Sequence, residues 1–223
     1  MKKLVLRKAS PVILVAISLV YATVVHAQEL PFGFQVETVI DNVEYPAGMI
    51  HDSEVSYVWE LNGLIWPVID GAKTSEPLLD LSDEVGFWND HGLLSVALHP
   101  RFSENGWIYL LYVVDRHHLL YFGTDLYNPS EDLYEEATIG RVVRYTVQSE
   151  DRTQVLADSR TVLIGETKES GIPITTISHG LGTLCFGQDE SLFISVGDGN
   201  SPGSDYNGTG ELPSFGYDDQ ALE

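Results

Sequence analysis

A recurring order of segments constrains this chain more than any single residue does. A glycine leads into an apolar run, a polar turn follows, a second apolar run comes next, and the pattern is met three times. Gly48-Met49-Ile50-His51 leads to the run 55–61, the turn Asn62-Gly63 and the run 64–69. Gly92 opens the run 92–98, followed by a turn at 99–106, the run 107–114 and, after an insertion at 115–140, a third run at 142–147. Gly182 opens the run 182–186, then come a turn at 187–191, the run 192–196 and the break Gly197-Asp198-Gly199. The first offset, 92 − 48 = 44, has the length of one propeller blade, roughly 40 to 50 residues, and the second, 182 − 92 = 90, is lengthened by the insertion. The runs are short, rich in aromatic and β-branched residues and bounded by Gly, Asn and Asp, so they read as strands. No stretch carries a sustained helical period with caps. The chain is expected to be all-β. A sandwich of short antiparallel strands satisfies the same pattern, and periodicity alone leaves both architectures open.

The first residues read as an address. Lys2, Lys3, Arg7 and Lys8 are followed by the apolar stretch 11–20, and Val25-His26-Ala27 fits a small-residue cleavage site before Gln28. Residues 1–27 are expected to be a signal peptide and 28–223 the exported domain, secreted or periplasmic. The apolar stretch is shorter than the ~20 residues of a bilayer span, so no membrane span is expected once the leader is removed. Lys plus Arg total 12 against 33 Asp plus Glu, a formal net charge of −21. That balance repels phosphate backbones and excludes a nucleic-acid partner. The single cysteine, Cys185, forms no intrachain disulfide and sits between Leu184 and Phe186, where it is expected to act as a small hydrophobe with no redox role.

Motifs on these strands narrow the choice. Gly92-Leu93-Leu94-Ser95-Val96-Ala97-Leu98-His99-Pro100-Arg101-Phe102, followed by Asn105-Gly106-Trp107-Ile108-Tyr109, resembles a signature of the glucose/sorbosone dehydrogenase family, the quinone-dependent soluble sugar dehydrogenases. Tyr45-Pro46-Ala47-Gly48-Met49 resembles that family's first-blade opening, and Gly140-Arg141-Val142-Val143-Arg144-Tyr145 a strand of its second blade. The run from Ser178-His179-Gly180-Leu181-Gly182 through Phe186-Gly187-Gln188-Asp189 to Gly197-Asp198 resembles the segment that carries the family's catalytic histidine. The resemblance covers most of residues 31–200. It implies a six-bladed β-propeller of four-stranded antiparallel sheets, with about three to four blades in this length. It also implies pyrroloquinoline quinone (PQQ) and calcium as cofactors, held mostly by groups beyond Glu223, so the chain reads as the N-terminal part of a longer propeller.

The chemistry follows from residue types. Oxidising a sugar hydroxyl removes its proton as hydride leaves carbon, and imidazole, with an ordinary pKa near ~6.5, is the natural base at neutral pH. His179 matches the family's base, and Asp198, one strand further on, is placed to orient it. Where characterised relatives carry a sugar-contacting Gln before the Gly-Leu-Leu segment, this chain has Asn89-Asp90-His91. Asp90 and His91 are therefore expected to face the substrate in an altered pocket, and Leu181 to narrow it. The implied partners are a sugar and an external electron acceptor.

Other features read more plainly. The acidic stretch 198–219 offers oxygen ligands without the spacing of a calcium loop and reads as a solvated insertion. Asn207-Gly208-Thr209 is a glycosylation sequon, and His117-His118 with the tyrosines between Tyr109 and Tyr134 are expected to cover the insertion. Two other functions fit a propeller: a non-catalytic extracellular binding module like the hedgehog-interacting relatives, and a metal-dependent lactonase.

Overall fold

The computed structural model describes residues 31–134, 136–175 and 178–199. The chain divides into two compact units, 1–37 and 38–223, and every strand among the described residues lies in the second. The expected leader and the acidic stretch beyond residue 199, with its sequon, lie outside the described residues.

The first sheet runs β1 (Pro46–His51), β2 (Ser56–Glu60) and β3 (Leu64–Ile69), all antiparallel, with Asn62-Gly63 as the hairpin turn between β2 and β3. Two short pieces, β4 (Ala72–Lys73) and β5 (Leu79–Asp80), pair with opposite ends of β3 and share the outermost place. The second sheet repeats this plan with β6 (Leu93–Leu98), β7 (Trp107–Val113) and β8 (Thr138–Thr146). Its outermost place is shared by β9 (Thr161–Ile164) and β10 (Ile172–Ile174). Each of these sheets is thus four strands wide with a broken outer strand. A third begins with the antiparallel pair β11 (Leu181–Phe186) and β12 (Leu192–Val196).

Strand β7 explains how the sheets stack. Its seven consecutive apolar residues alternate between faces: Ile108, Leu110 and Tyr112 enter the core shared with the first sheet, while Trp107, Tyr109 and Leu111 face Leu184, Phe186 and Ile194 of the third. A strand covered on both faces needs an unbroken apolar run, not a polar alternation. The innermost strands lie side by side, with β6 packed against both β1 and β11. Leu184 N donates to Ser95 Oγ at 3.0 Å, and Gly180 lies against His91, so β6 and β11 run in the same direction. The molecule is an all-β, partial β-propeller whose innermost strands all start at one end.

Two short helices interrupt the strands: α1 (Phe102–Asn105) in the β6–β7 turn, and α2 (Arg116–Tyr121) in the insertion, where Asp115 Oδ1 accepts from His118 N. Cys185 is exposed, because alternation turns Leu184 to the core and Cys185 to the outer face beside Phe193.

Candidate functional site

The end from which the inner strands start gathers the candidate residues. The segments entering these strands each hold a non-glycine residue in the left-handed region: Tyr45 (φ 46°) before β1, Asn89 (φ 49°) before β6 and His179 (φ 56°) before β11. Such backbone costs on the order of 1–3 kcal/mol each and persists only where surrounding contacts over-determine it.

At His179 those contacts are visible. Gly199 N donates to the His179 carbonyl at 3.0 Å, and Gly197 N to the Gly180 carbonyl at 2.8 Å. A Cβ on Gly197 would lie 2.0 Å from the His179 carbonyl oxygen, so only glycine lets the two backbones meet there. This clamp brings Asp198, just past β12, to the imidazole: His179 Nδ1 lies 3.2 Å from Asp198 Oδ1. The two side chains are 53% and 68% exposed. With Nδ1–H donating to the carboxylate, Nε2 is left unprotonated and able to accept a proton.

The structure separates the other two candidates. Asp90 is exposed at the same end, while His91 has no accessible surface and lies beneath the turn, its ring 4.2 Å from that of Trp88. His91 therefore has no surface from which to meet a sugar in this structure, because its ring is packed under Gly180 instead of turned to solvent. Leu181 is half-buried and packs against the core between the second and third sheets.

A second polar centre at this end was not read from the sequence. Glu84, in the connection from β5 to β6, accepts from Tyr112 Oη, Arg141 Nη1 and Arg160 Nη2. Burial favours its neutral form, but Arg160, the Tyr112 hydroxyl and Arg141 outweigh that and hold the carboxyl below its ordinary range. Burial, then the Glu84 charge, pushes the Tyr112 phenol well up. Glu84, Arg141 and Arg160, with α2 and the segment after β9, line a cavity of about 500 Å³. A lone glutamate in Ser82-Asp83-Glu84-Val85 carries no sequence signal for such a hub.

The residues fit only part of what PQQ requires. Eight basic residues follow residue 27, and each has a partner away from the pair: Arg141 and Arg160 on Glu84, Arg101 on Glu190, Arg152 on Asp52, Arg116 on the Ala137 carbonyl, Arg144 over Trp107, Lys73 over Trp66 and Lys168 beside Glu169. The described residues supply an imidazole–carboxylate pair but no set of cations around it to hold a tricarboxylate quinone. Among them, no three His, Cys, Asp or Glu side chains converge as a metal site.

Fold and site together define a sugar dehydrogenase-like β-propeller with an imidazole–carboxylate pair at the mouth of its inner strands. Residues 44–210 match the glucose/sorbosone dehydrogenase family, and the chain belongs to it. It is 27% identical over 176 residues to human hedgehog-interacting protein, covering 74% of this chain and 22% of that one. An uncharacterised Synechocystis protein is 29% identical over 175 residues, covering 74% and 35%. Soluble aldose sugar dehydrogenase of Escherichia coli, solved in its apo-form, superposes with a TM-score of 0.52 at 21% identity over 74% of this chain and 41% of that one. The PQQ-bound aldose sugar dehydrogenase of Streptomyces coelicolor gives 0.52 at 19% identity, over 74% and 42%. At those identities the likeness is one of fold. The chain spans about a fifth to a third of the curated relatives it matches.

Proposed function

We propose that this chain carries the proton-accepting half of an exported, quinone-dependent sugar oxidation site, with His179 as general base and Asp198 orienting it. The observation that carries the reading is the 3.2 Å His179–Asp198 contact on a clamped, strained turn at the end where the inner strands begin. A sugar hydroxyl placed at Nε2 gives up its proton there, and the carboxylate at Nδ1 stabilises the imidazolium that forms. PQQ, when bound, supplies the two-electron acceptor for the hydride leaving the same carbon. Its participation, that of calcium and that of an external electron acceptor are proposed from the family alone. Asp90 is proposed as an acceptor for sugar hydroxyls. Residues 1–27 are proposed as the export signal.

The experiment is reconstitution, with PQQ and calcium, of the full-length propeller that carries this segment together with the cofactor-holding groups the family implies, followed by dye reduction with a panel of aldoses. His179→Ala is expected to lower turnover by roughly 10² or more, the scale of a positioned base, with quinone binding little changed. Asp198→Asn is expected to fall between wild type and His179→Ala, since it keeps shape and removes charge. Unchanged turnover in His179→Ala would place the base elsewhere.

A second reading has its own support in the likeness to hedgehog-interacting protein: a propeller kept as an extracellular binding module. Wild-type protein that takes up PQQ and oxidises no sugar, yet binds a protein ligand through this end, favours that reading. A metal-dependent lactonase remains a third proposal, testable by lactone hydrolysis with metal and no quinone.

A further inference from the structure

We propose that His91 is the positioning residue of the His179–Asp198 pair, acting through the backbone of the turn that carries His179; this rests on the functional reading above. The pair cannot hold itself. Both side chains are largely exposed, and their contact, at 3.2 Å, is near the long end for a hydrogen bond, so their own attraction contributes little to orientation. Orientation must come from the backbone, and the turn is gripped from two sides. From one side, residues 197–199, which carry Asp198, bond to the carbonyls of His179 and Gly180. From the other, a floor rises against Gly180: its Cβ position lies 2.9 Å from Ile174 Cδ1 and 3.9 Å from His91 Nε2. Both floor side chains are buried, Ile174 at 1% and His91 at 0% exposure, and the Trp88 ring at 4.2 Å stands against His91.

The height of the floor sets the height of the turn, and the turn fixes both ends of the pair at once, because Gly197 and Gly199 hang from it. The flat ring at position 91 stands between the Trp88 ring and the Cβ position of Gly180. Removing that ring opens room for the turn to settle, relaxes the left-handed backbone at His179 and draws the imidazole away from Asp198. The residue that the motif departure marked for the substrate thus acts one layer below it, on the base.

The test reads the proton on the His179 ring directly. In the ¹⁵N-labelled full chain, long-range proton–nitrogen spectra report which ring nitrogen is protonated, with His179→Gln assigning the signal among the seven histidines. Spectra are taken about two pH units above the ordinary imidazole value, where the neutral form dominates. Wild type is expected to show mainly the Nδ1–H tautomer. His91→Ala is expected to shift it toward Nε2–H, the form free histidine prefers, and His91→Phe, which keeps a ring, to retain the wild-type pattern. A wild-type pattern in His91→Ala, or a loss in His91→Phe as large as in His91→Ala, overturns the proposal. If His91→Ala does not fold, Trp88→Leu decides: a partial shift to Nε2–H is expected, and no shift overturns the proposal. In reconstituted protein, His91→Ala is expected to lower kcat about ten- to hundredfold with little change in KM. The spectra need no sugar or quinone, so the two readings fail separately: an active His179→Ala sinks the general-base assignment while a tautomer that follows His91 still stands.

Discussion

Glu84 shows how much a single buried carboxylate can organise. Its side chain is 11% exposed and meets Arg141, 8% exposed, Arg160, 38% exposed, and the Tyr112 hydroxyl. Glu84→Gln leaves two guanidiniums without their counter-charge, at a cost of about 3 kcal/mol; breaking a buried pair costs 3–5, and the half-open Arg160 returns part of its loss to water. Tyr112→Phe removes one hydrogen bond to a charged group and is expected to cost about 1.5 kcal/mol. Urea unfolding midpoints check both values. The folded chain keeps Glu84 ionised below the ordinary 4.5, so this stability is whole above that pH and is lost as the pH falls through the lower folded value; Glu84→Gln should flatten that limb of the stability profile. At this scale the sequence shows His179 and Asp198 because each stands in a motif beside strand-ending glycines. It hides Glu84, whose partners come from β7, β8 and the segment before β9, and it hides the burial of His91, which lies with Trp88 of its own turn beneath Gly180, a residue arriving from a distant segment.

The insertion between β7 and β8 folds around two histidines. His118 Nδ1 lies 3.0 Å from the Asp83 carbonyl and from the Tyr127 hydroxyl, and His117 Nε2 accepts from Asn128 N at 3.0 Å. Burial pushes the His118 pKa below the ordinary 6.5. Its neutral form is therefore part of the fold: the stability it contributes is whole above about pH 6.5 and is lost as the pH falls from there through the lowered folded value. Amides of residues 115–134 are expected to exchange with solvent faster at pH 5.5 than at 7.5, after correction for intrinsic rates. His118→Phe, which cannot charge, should remove the difference. Asp115 works oppositely and lower: burial raises its pKa above 3.8, so it favours folding in acid and loses that contribution as the pH rises through its folded value. Elements of five or more residues with an apolar run, β1 to β3, β6 to β8, β11 and β12, are legible in the repeat. The run 142–147 understates β8, which begins at Thr138. The broken outer strands escape, since two to four residues are too few for a period, and α2 escapes for the same reason, although Asp115 is an ordinary N-cap.

Across the whole molecule, burial is uneven: it is deepest in the second sheet and shallow in the third. The second sheet is covered on both faces, with Ile108, Leu110, Leu111, Tyr112 and Val113 at 0% exposure, whereas the β11–β12 pair is covered on one. Its other face presents Cys185 and Phe193, register partners, to solvent, and Phe193 is 58% exposed. Local opening follows such differences, because a segment with fewer buried contacts opens without the rest of the fold. In this 223-residue chain, amides of β11 and β12 are expected to exchange at least about tenfold faster than those of β7 and β8, by opening the third sheet alone. The single cysteine gives an independent readout. Cys185 should react stoichiometrically with a thiol reagent in the native chain, with no need for denaturant, and the reaction should slow when a further sheet or a partner covers that face. Because His179 and Asp198 flank this same pair, covering it also steadies the candidate site, so any addition that protects Cys185 should raise quinone affinity in parallel. Protection of Cys185 without any gain in quinone binding would separate the stability of the third sheet from the assembly of the site.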